Sequence, residues 1–363
     1  MPRRTATMLA SLLTLIALLC AGLLIPVPYA AMSPGPTYNT LGEHNGEQVL
    51  QISGHGTHKT SGHLNMTTVR VTGSEYRMNL FEAVHGWLAD DEIVVPHDTL
   101  YPDDKTAEEV TQENAEEFSQ SQESAKVAAL KHLKIPVRSF TVVGSVRKGM
   151  PAEGKLHAGD VIKEVDGSPV RSTEDVSKLV TRHKPGEKVV FSIVPAKDAA
   201  QAEKSGKAPE GAVPVTITTT KAGPRENRAI VGIEAATDYI FPFRMDIRLA
   251  DVGGPSAGLM FTLGLIDKLT PGPLTGGKFV AGTGTIDNEG LVGPIGGIQM
   301  KTIGARKKGA EYFLTPKENC ATAAKDVPGG LTLVKVHTLD DAVKALDAIR
   351  AGKTSDLPRC TKG

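Results

Sequence analysis

Cysteine is scarce in this chain. Three cysteines in 363 residues are too few for a disulfide scaffold. No CxxC pair and no HExxH occurs, so a dedicated zinc site is not expected. Tryptophan occurs once and aromatic residues make up 4%, which implies a core built from aliphatic side chains. Charge of either sign in excess is also missing: 41 Lys and Arg balance 41 Asp and Glu. A bulk electrostatic grip on nucleic acid usually leaves a basic footprint, and none is present. What the chain does have is 38 Gly and 23 Pro, the mark of many turns and close backbone approaches. Its 40% hydrophobic and 23% charged residues are a globular balance. The length suggests two or three domains.

Arg3 and Arg4 precede an apolar run from Met8 to Val27, about long enough to cross a bilayer as a helix. The run exceeds the usual signal-peptide core, and no small-x-small cleavage pattern follows it. An uncleaved anchor over 1–32 is expected, with a cleaved signal as the alternative. The two arginines favour a cytoplasmic tip, which leaves the rest of the chain extracytoplasmic. Cys20 reads as an ordinary residue of the span, because Leu19 stands where a lipobox wants a small side chain. In an oxidising compartment Cys320 and Cys360, the only exported cysteines, are a candidate disulfide, with two free thiols as the alternative.

Beyond a Pro/Gly-rich connector at Met32–Asn39, residues 33–135 read as an α/β extracytoplasmic region. Strands are expected at Gln48–Ser53 and Leu64–Thr72. His55, His58 and His63 lie between them in a Gly/Thr-rich turn and read as loop histidines rather than metal ligands. Thr106–Leu133 reads as a mostly helical, acidic, solvated segment. From about Ile135 to Thr220 the pattern turns β-rich. Strands are expected at Thr141–Val146, Val161–Val165, Lys188–Val194 and Val213–Thr219. Asp166-Gly167 marks a tight turn. Ser172-x-x-Asp175 marks a helix start, with Val176, Leu179, Val180 and His183 at helical spacing. Ala196–Gly211 is expected to be a long exposed hairpin loop.

The order strand, GMPAEGKLHAGDVIKEVDG, helix, strand resembles a bacterial PDZ domain, with the domain placed at 136–222. The resemblance implies that an extended peptide adds as a strand at a sheet edge. The nearest match to the carboxylate-binding loop of such domains is Arg138-Ser139-Phe140. A rigid spacer is the plainer alternative.

The residues that suggest chemistry lie in the last third. In Asp251-Val252-Gly253-Gly254-Pro255-Ser256-Ala257-Gly258, Pro255 suits a first helical turn, which places Ser256 among free backbone N–H groups. Such groups and the helix dipole can hold an oxyanion. The helix Leu259–Leu269 is apolar almost all round and is expected to be buried. Alone, Ser256 would read as a helix cap. A second glycine-rich turn, Gly290–Gly297, leads into a helix with Ile298, Lys301, Gly304 and Ala305 on one side. A lysine among such neighbours is desolvated, which disfavours its charged form. A neutral amine beside a serine is the Ser-Lys form of a nucleophile with its base. Lys307 and Lys308 read as surface lysines.

The flanks GGPSAG, GTGTI and GPIGGIQMK resemble the proteolytic domain of Lon-type serine peptidases, with the domain placed at 228–350 and a tail at 351–363. The resemblance implies Ser256 as nucleophile, Lys301 as general base and Thr283 as the threonine that orients the lysine. Gln299-Met300-Lys301 stands where Lon enzymes often carry Lys-Glu-Lys, and Gly253 where many carry an acid; Asp251 is nearby but out of register. Anchor, PDZ-like module and Lon-type domain together resemble the membrane-anchored PDZ-containing Lon-like proteases of Gram-positive bacteria.

Three nucleotide-binding patterns fail. Gly272–Lys278 approaches a P-loop, but Phe279 stands where Ser or Thr must meet magnesium. Gly352-Lys353-Thr354 has Asp347 at the leading glycine, and Gly282-x-Gly284 has Asp287 at the third. The chain is too short to add an ATPase module. The expectation is therefore a multidomain α/β and α+β protein: a membrane-tethered, ATP-independent serine endopeptidase without cofactor, metal, nucleotide or nucleic acid. Its substrates would be unfolded or exported polypeptides, and a homo-oligomer is the assembly that the resemblance implies. The alternative is a non-catalytic peptide-binding scaffold that kept a protease-like fold. A regulatory protease with a single partner is a third reading.

Overall fold

The computed structural model describes residues 3–102, 104–204, 207–223, 226–249 and 252–362. The chain divides into two compact units. Met1–Lys134 joins Met245–Gly363 in one, and Ile135–Arg244 forms the other.

The first unit begins with helix α1, Arg3–Leu24. It is long and apolar enough to cross a membrane by length and composition. The helix stops short of the end of the apolar run because Pro26 disfavours helical geometry at Ile25. The unit continues with β1 (Tyr29–Asn39), β2 (His63–Val71), α2 (Leu80–Leu88), β3 (Ile93–Pro96) and α3 (Ala107–His132). Two prolines lie inside β1, where the missing N–H cannot serve a ladder. The strand accommodates them with a register shift between Pro34 and Thr37. The acidic first half of α3 is exposed, as its sequence suggests. Its second half is not a solvated face: Phe118, Ser121, Ala125 and Val127–Leu130 are buried.

The second unit contains β4 (Arg138–Val146), β5 (Val161–Val165), α4 (Thr173–Val180), β6 (Lys188–Val194), α5 (Ala196–Lys204), β7 (Val213–Thr218) and β8 (Ile233–Ile240). Its sheet runs β7-β6-β5-β4-β8. Val143, Ile162, Val165, Val176, Leu179, Phe191 and Ile217 meet in its core. Asp166 and Gly167 both have positive φ, 50° and 73°, as a mirror-image hairpin turn requires. The expected capping box of α4 forms between Ser172 and Asp175. One expectation fails: Ala196–Gly211 is not all loop. Its first half, Ala-Lys-Asp-Ala-Ala-Gln-Ala-Glu-Lys, consists mostly of strong helix formers and folds as α5.

The chain then returns to the first unit with α6 (Gly258–Leu269), β9 (Phe279–Gly282), α7 (Ile298–Lys307), β10 (Tyr312–Pro316), α8 (Cys320–Ala323), β11 (Thr332–Val336) and α9 (Leu339–Arg350). A sheet of order β11-β10-β9-β2-β1-β3 unites the two ends of the chain. Its central joint is parallel: Phe279 to Gly282 of β9 lie opposite His63 to Met66 of β2. The partition read from sequence therefore changes. Residues 33–135 and 228–350 are not separate domains, because their strands share one sheet. Residues 228–244 belong instead to the second unit, where β8 pairs with the whole length of β4.

Helix α6 is buried on nearly every side, as its composition predicts. Each large side chain it buries, such as Leu259, Phe261, Leu263 and Leu265, stabilises the fold by about 2 kcal/mol relative to exposure. Its backbone comes close to α3 because residue 258 is glycine. A Cβ there would lie 2.9 Å from Ser121 Oγ. The tail at 351–363 is tied back: Lys335 N donates to Pro358 O at 2.6 Å and Cys360 N to Leu333 O at 3.2 Å. Cys320 and Cys360 form a disulfide with Cα atoms 4.9 Å apart.

Candidate active site and peptide groove

Ser256 does not lie on a helix. Pro255, Ser256 and Ala257 form a turn, and the first helical residue of α6 is Gly258. The expected placement of Pro255 in the first helical turn is thus shifted by three residues. Gly254 allows the bend with φ of +80°. Helix α3 holds the turn from outside: Gly254 N donates to Asn114 O at 2.9 Å, and Ser121 Oγ donates to Pro255 O at 2.9 Å. From the other side, Gly284 N donates to Ser256 O at 2.9 Å. With its backbone fixed this way, Ser256 presents its hydroxyl to α7.

Lys301 sits in the second turn of α7 and is 2% exposed. Its Nζ lies 2.6 Å from Ser256 Oγ and donates to Thr283 Oγ1 at 3.0 Å. Thr283, between β9 and the following hairpin, is fully buried and donates to Ser256 O at 3.0 Å. The structure therefore brings together Ser256, Lys301 and Thr283, which are spread over 45 positions of sequence. Burial alone pushes the Lys301 amine down from an ordinary value to about 7. The amides of Ala257 and Gly258 precede the first helical hydrogen bond, which runs from Phe261 N to Ala257 O.

Two depressions meet at Ser256. One, about 300 Å³, is lined by Pro36 and Tyr38 of β1, Thr68, Val69 and Arg70 of β2, and Val252 and Gly253. The other, about 390 Å³, is lined by Pro255, Pro294, Ile295 and Gly296. The walls contributed by β1 and β2 have no catalytic signature in sequence. Asp251 lies outside the described residues. Lys307 and Lys308 are exposed as expected, and Lys307 pairs with Asp91 at 2.7 Å.

The second unit carries its own groove, about 280 Å³, between α4 and the segment leading into β8. Thr173, Val176, Ser177 and Val180 line one side, and Ile230, Val231, Gly232 and Ile233 the other. β8 ends the sheet order, so its outer edge has no strand partner among the described residues. Arg138-Ser139-Phe140, the sequence-based candidate, lies elsewhere: it pairs with Asp238–Ile240 at the far end of β8. The usable signal was the apolar-Gly-apolar run Val231-Gly232-Ile233 just before a strand.

His55, His58 and His63 are exposed, but His63 is not in the turn: it is the first residue of β2, and its ring stacks on Phe279 at 4.6 Å. Among the described residues, no group of three or more His, Cys, Asp or Glu could hold a metal. The glycine-rich loop at 272–278 connects α6 to β9. A P-loop connects a strand to a helix, so the order here is reversed.

Comparison with known proteins finds two family matches. Residues 119–202 match the PDZ domain family, and residues 251–348 match the Lon protease (S16) C-terminal proteolytic domain. The chain is a mixed helix/strand multidomain protein with an apolar N-terminal helix, a PDZ domain and a Lon-type proteolytic domain.

Among curated relatives, the Lon protease of Chloroflexus aggregans is 37% identical over 93 residues, covering 25% of this chain and 11% of that protein. Lon protease 2 of Bacillus subtilis is 33% identical over 92 residues, covering 25% and 16%. The chain thus spans about a tenth of the length of the curated relatives it matches. Among solved structures, the PDZ domain of the SdrC-like protein of Listeria monocytogenes is 24% identical, covering 27% of this chain and 87% of that one, with a TM-score of 0.21.

Proposed function

We propose that this chain is a membrane-tethered serine endopeptidase that hydrolyses unfolded or exported polypeptides without ATP. The observation that carries the reading is the buried Lys301 amine 2.6 Å from the Ser256 hydroxyl. A neutral amine can accept the hydroxyl proton while Thr283 Oγ1 takes one of its N–H groups and fixes its direction. Ser256 Oγ then bonds to the scissile carbonyl carbon. The negative oxygen that develops is met by backbone amides ahead of α6 and by the positive end of that helix. The lysine returns the proton to the leaving amine, the C–N bond breaks, and an acyl-enzyme remains on Ser256. Water, deprotonated by the same lysine, releases the acyl group. Thr283 acts through Lys301 and is a positioning residue.

The two depressions flanking Ser256 accommodate chain on both sides of the bond to be cut, which suits an endopeptidase. The groove along α4, beside the last strand of the sheet order, suits capture of an extended segment by strand addition. Helix α1 supplies the tether, with the catalytic unit on the extracytoplasmic side. The reversed order around residues 272–278 and the failed nucleotide patterns favour work without ATP.

Hydrolysis of casein by detergent-solubilised full-length protein, in nucleotide-free buffer, tests the reading. Wild type should cleave, and Ser256→Ala and Lys301→Ala should each lose about 10³-fold or more. Equal activity in all three would refute the Ser-Lys assignment. Absence of cleavage by wild type over a wide range of substrates would favour the scaffold.

A further inference from the structure

Helix α2 turns its apolar side outward. At about 100° per residue, Leu80, Phe81, Val84, Trp87 and Leu88 fall within an arc of roughly 120°. All five are exposed, Trp87 by 52% and Leu88 by 80%. The side that packs on the body consists of the small residues Ala83 and Gly86. This inverts the usual arrangement, in which large apolar side chains face the core. An exposed apolar face of this kind marks an interaction surface.

The position of α2 identifies the partner. Val27 N, three residues beyond α1, donates to Met78 O at 2.8 Å, and Pro26 forms an isolated bridge to Asn79, the N-cap of α2. At the end of α1, a Cβ on Gly22 would meet the Phe81 ring at 2.6 Å. The outward face of α2 is therefore continuous with the C-terminal end of the apolar helix. Tyr29 and Trp87 meet edge to face at 5.2 Å beside it. Tyr and Trp favour the membrane–water boundary.

We propose that α2 lies in the surface of the bilayer that α1 crosses, with Leu80, Phe81, Val84, Trp87 and Leu88 immersed among the lipid headgroups and upper acyl chains. The proposal rests on the anchor reading of α1. Immersion to a depth of about 5–10 Å is typical of such interfacial helices. Attraction to anionic lipid is not the driving force, because Glu75, Glu82, Asp90, Asp91 and Glu92 outnumber Arg77 and His85 around α2. Binding should therefore persist on phosphatidylcholine alone and at high salt. With a span and an interfacial helix both engaged, the chain has two points of attachment, which limits tilt of the catalytic unit about α1.

Trp87 is the sole tryptophan of the chain, so its fluorescence reports on α2 alone. The full chain would be reconstituted in phosphatidylcholine vesicles with and without brominated acyl chains and checked by flotation. The expected result is a floating protein whose emission is blue-shifted and largely quenched by brominated lipid. In Leu80→Glu/Leu88→Glu, whose altered positions are exposed, the protein should still float, and Trp87 should return to water-like, unquenched emission. Wild type that floats with unquenched Trp87 would overturn the proposal while leaving the anchor in place. A blue shift without lipid quenching, indicating contact with another copy, would also overturn it. Failure to float would remove the anchor reading and this proposal with it.

Discussion

On the mechanism proposed above, the buried amine of Lys301 should couple activity to pH, and it ties stability to the same proton. Its value falls from 10.5 to about 7. At about 1.36 kcal/mol per unit, the site disfavours the charged amine by about 5 kcal/mol. The consequence for rate is direct. A base must be neutral, so kcat/KM should rise as pH increases through about 7 and then level off. An ordinary lysine would be neutral in only about one molecule in 10³ at neutral pH. The consequence for stability comes from the same desolvation. Between about 7 and the unfolded value near 10.5, the unfolded chain binds the proton and the folded chain does not. Stability should therefore rise with pH across that window, and the penalty should be full below it.

Lys301→Met removes both effects. It should abolish hydrolysis yet stabilise the fold at about pH 6 by several kcal/mol, an advantage that shrinks as pH approaches about 10. The assays are the pH profile of casein hydrolysis for wild type and denaturant unfolding of both proteins at several pH values. A rate midpoint near that of an ordinary lysine, together with a Lys301→Met stability difference independent of pH, would refute the reasoning.

Thr283→Val keeps the volume but removes the hydroxyl shared by Lys301 Nζ and Ser256 O. With about 1 kcal/mol for each of the two lost bonds, kcat should fall about thirtyfold while KM holds, and Thr283→Ser should restore most of the rate. The disulfide closes a sequence separation of 40 residues. Reduction, or Cys360→Ser, should lower stability by about 2–4 kcal/mol in denaturant titration and loosen the tail from β11. Asp267, fully buried in α6, is raised to about 6 by desolvation, against the pull of the Leu274 amide and the charges of Lys268 and Arg350. The folded state then holds the proton more tightly, so stability is lost as pH rises from about 4 to about 6. Asp267→Asn should stabilise by up to about 3 kcal/mol at pH 8 and by little at pH 4, read by thermal unfolding.

The sequence is most informative where chemistry is written in contiguous residues. The glycine-rich flanks of Ser256, Thr283 and Lys301 lie in short stretches, and these positions meet in space. The capping box at Ser172 and the burial of α6 also follow from local pattern. Long-range pairing is different. Nothing in the periodicity of His63–Val71 says that its parallel neighbour is Phe279–Gly282, more than two hundred positions away, so the N-terminal region looks like a domain of its own. The groove beside α4 is hidden for a related reason: Ile230–Ile233 follows the last strand of the recognisable PDZ pattern, and only pairing with β4 returns it to that unit. The helix starts only at Gly258, after a turn held by hydrogen bonds to Asn114 O and from Ser121 Oγ and Gly284 N.

The catalytic body is assembled from both ends of one chain. β1 and β2, which wall the cleft, are synthesised first, and the serine, threonine and lysine arrive in the final third. The inserted unit enters on β4 and leaves on β8, neighbouring strands in register from Arg138 opposite Ile240. The interruption therefore returns the polypeptide close to where it departed. A nascent chain that ends before β9 carries β1, β2 and β3 but neither Thr283 nor Lys301. On the mechanism proposed above, the site is complete only once α7 and its Lys301 have been made.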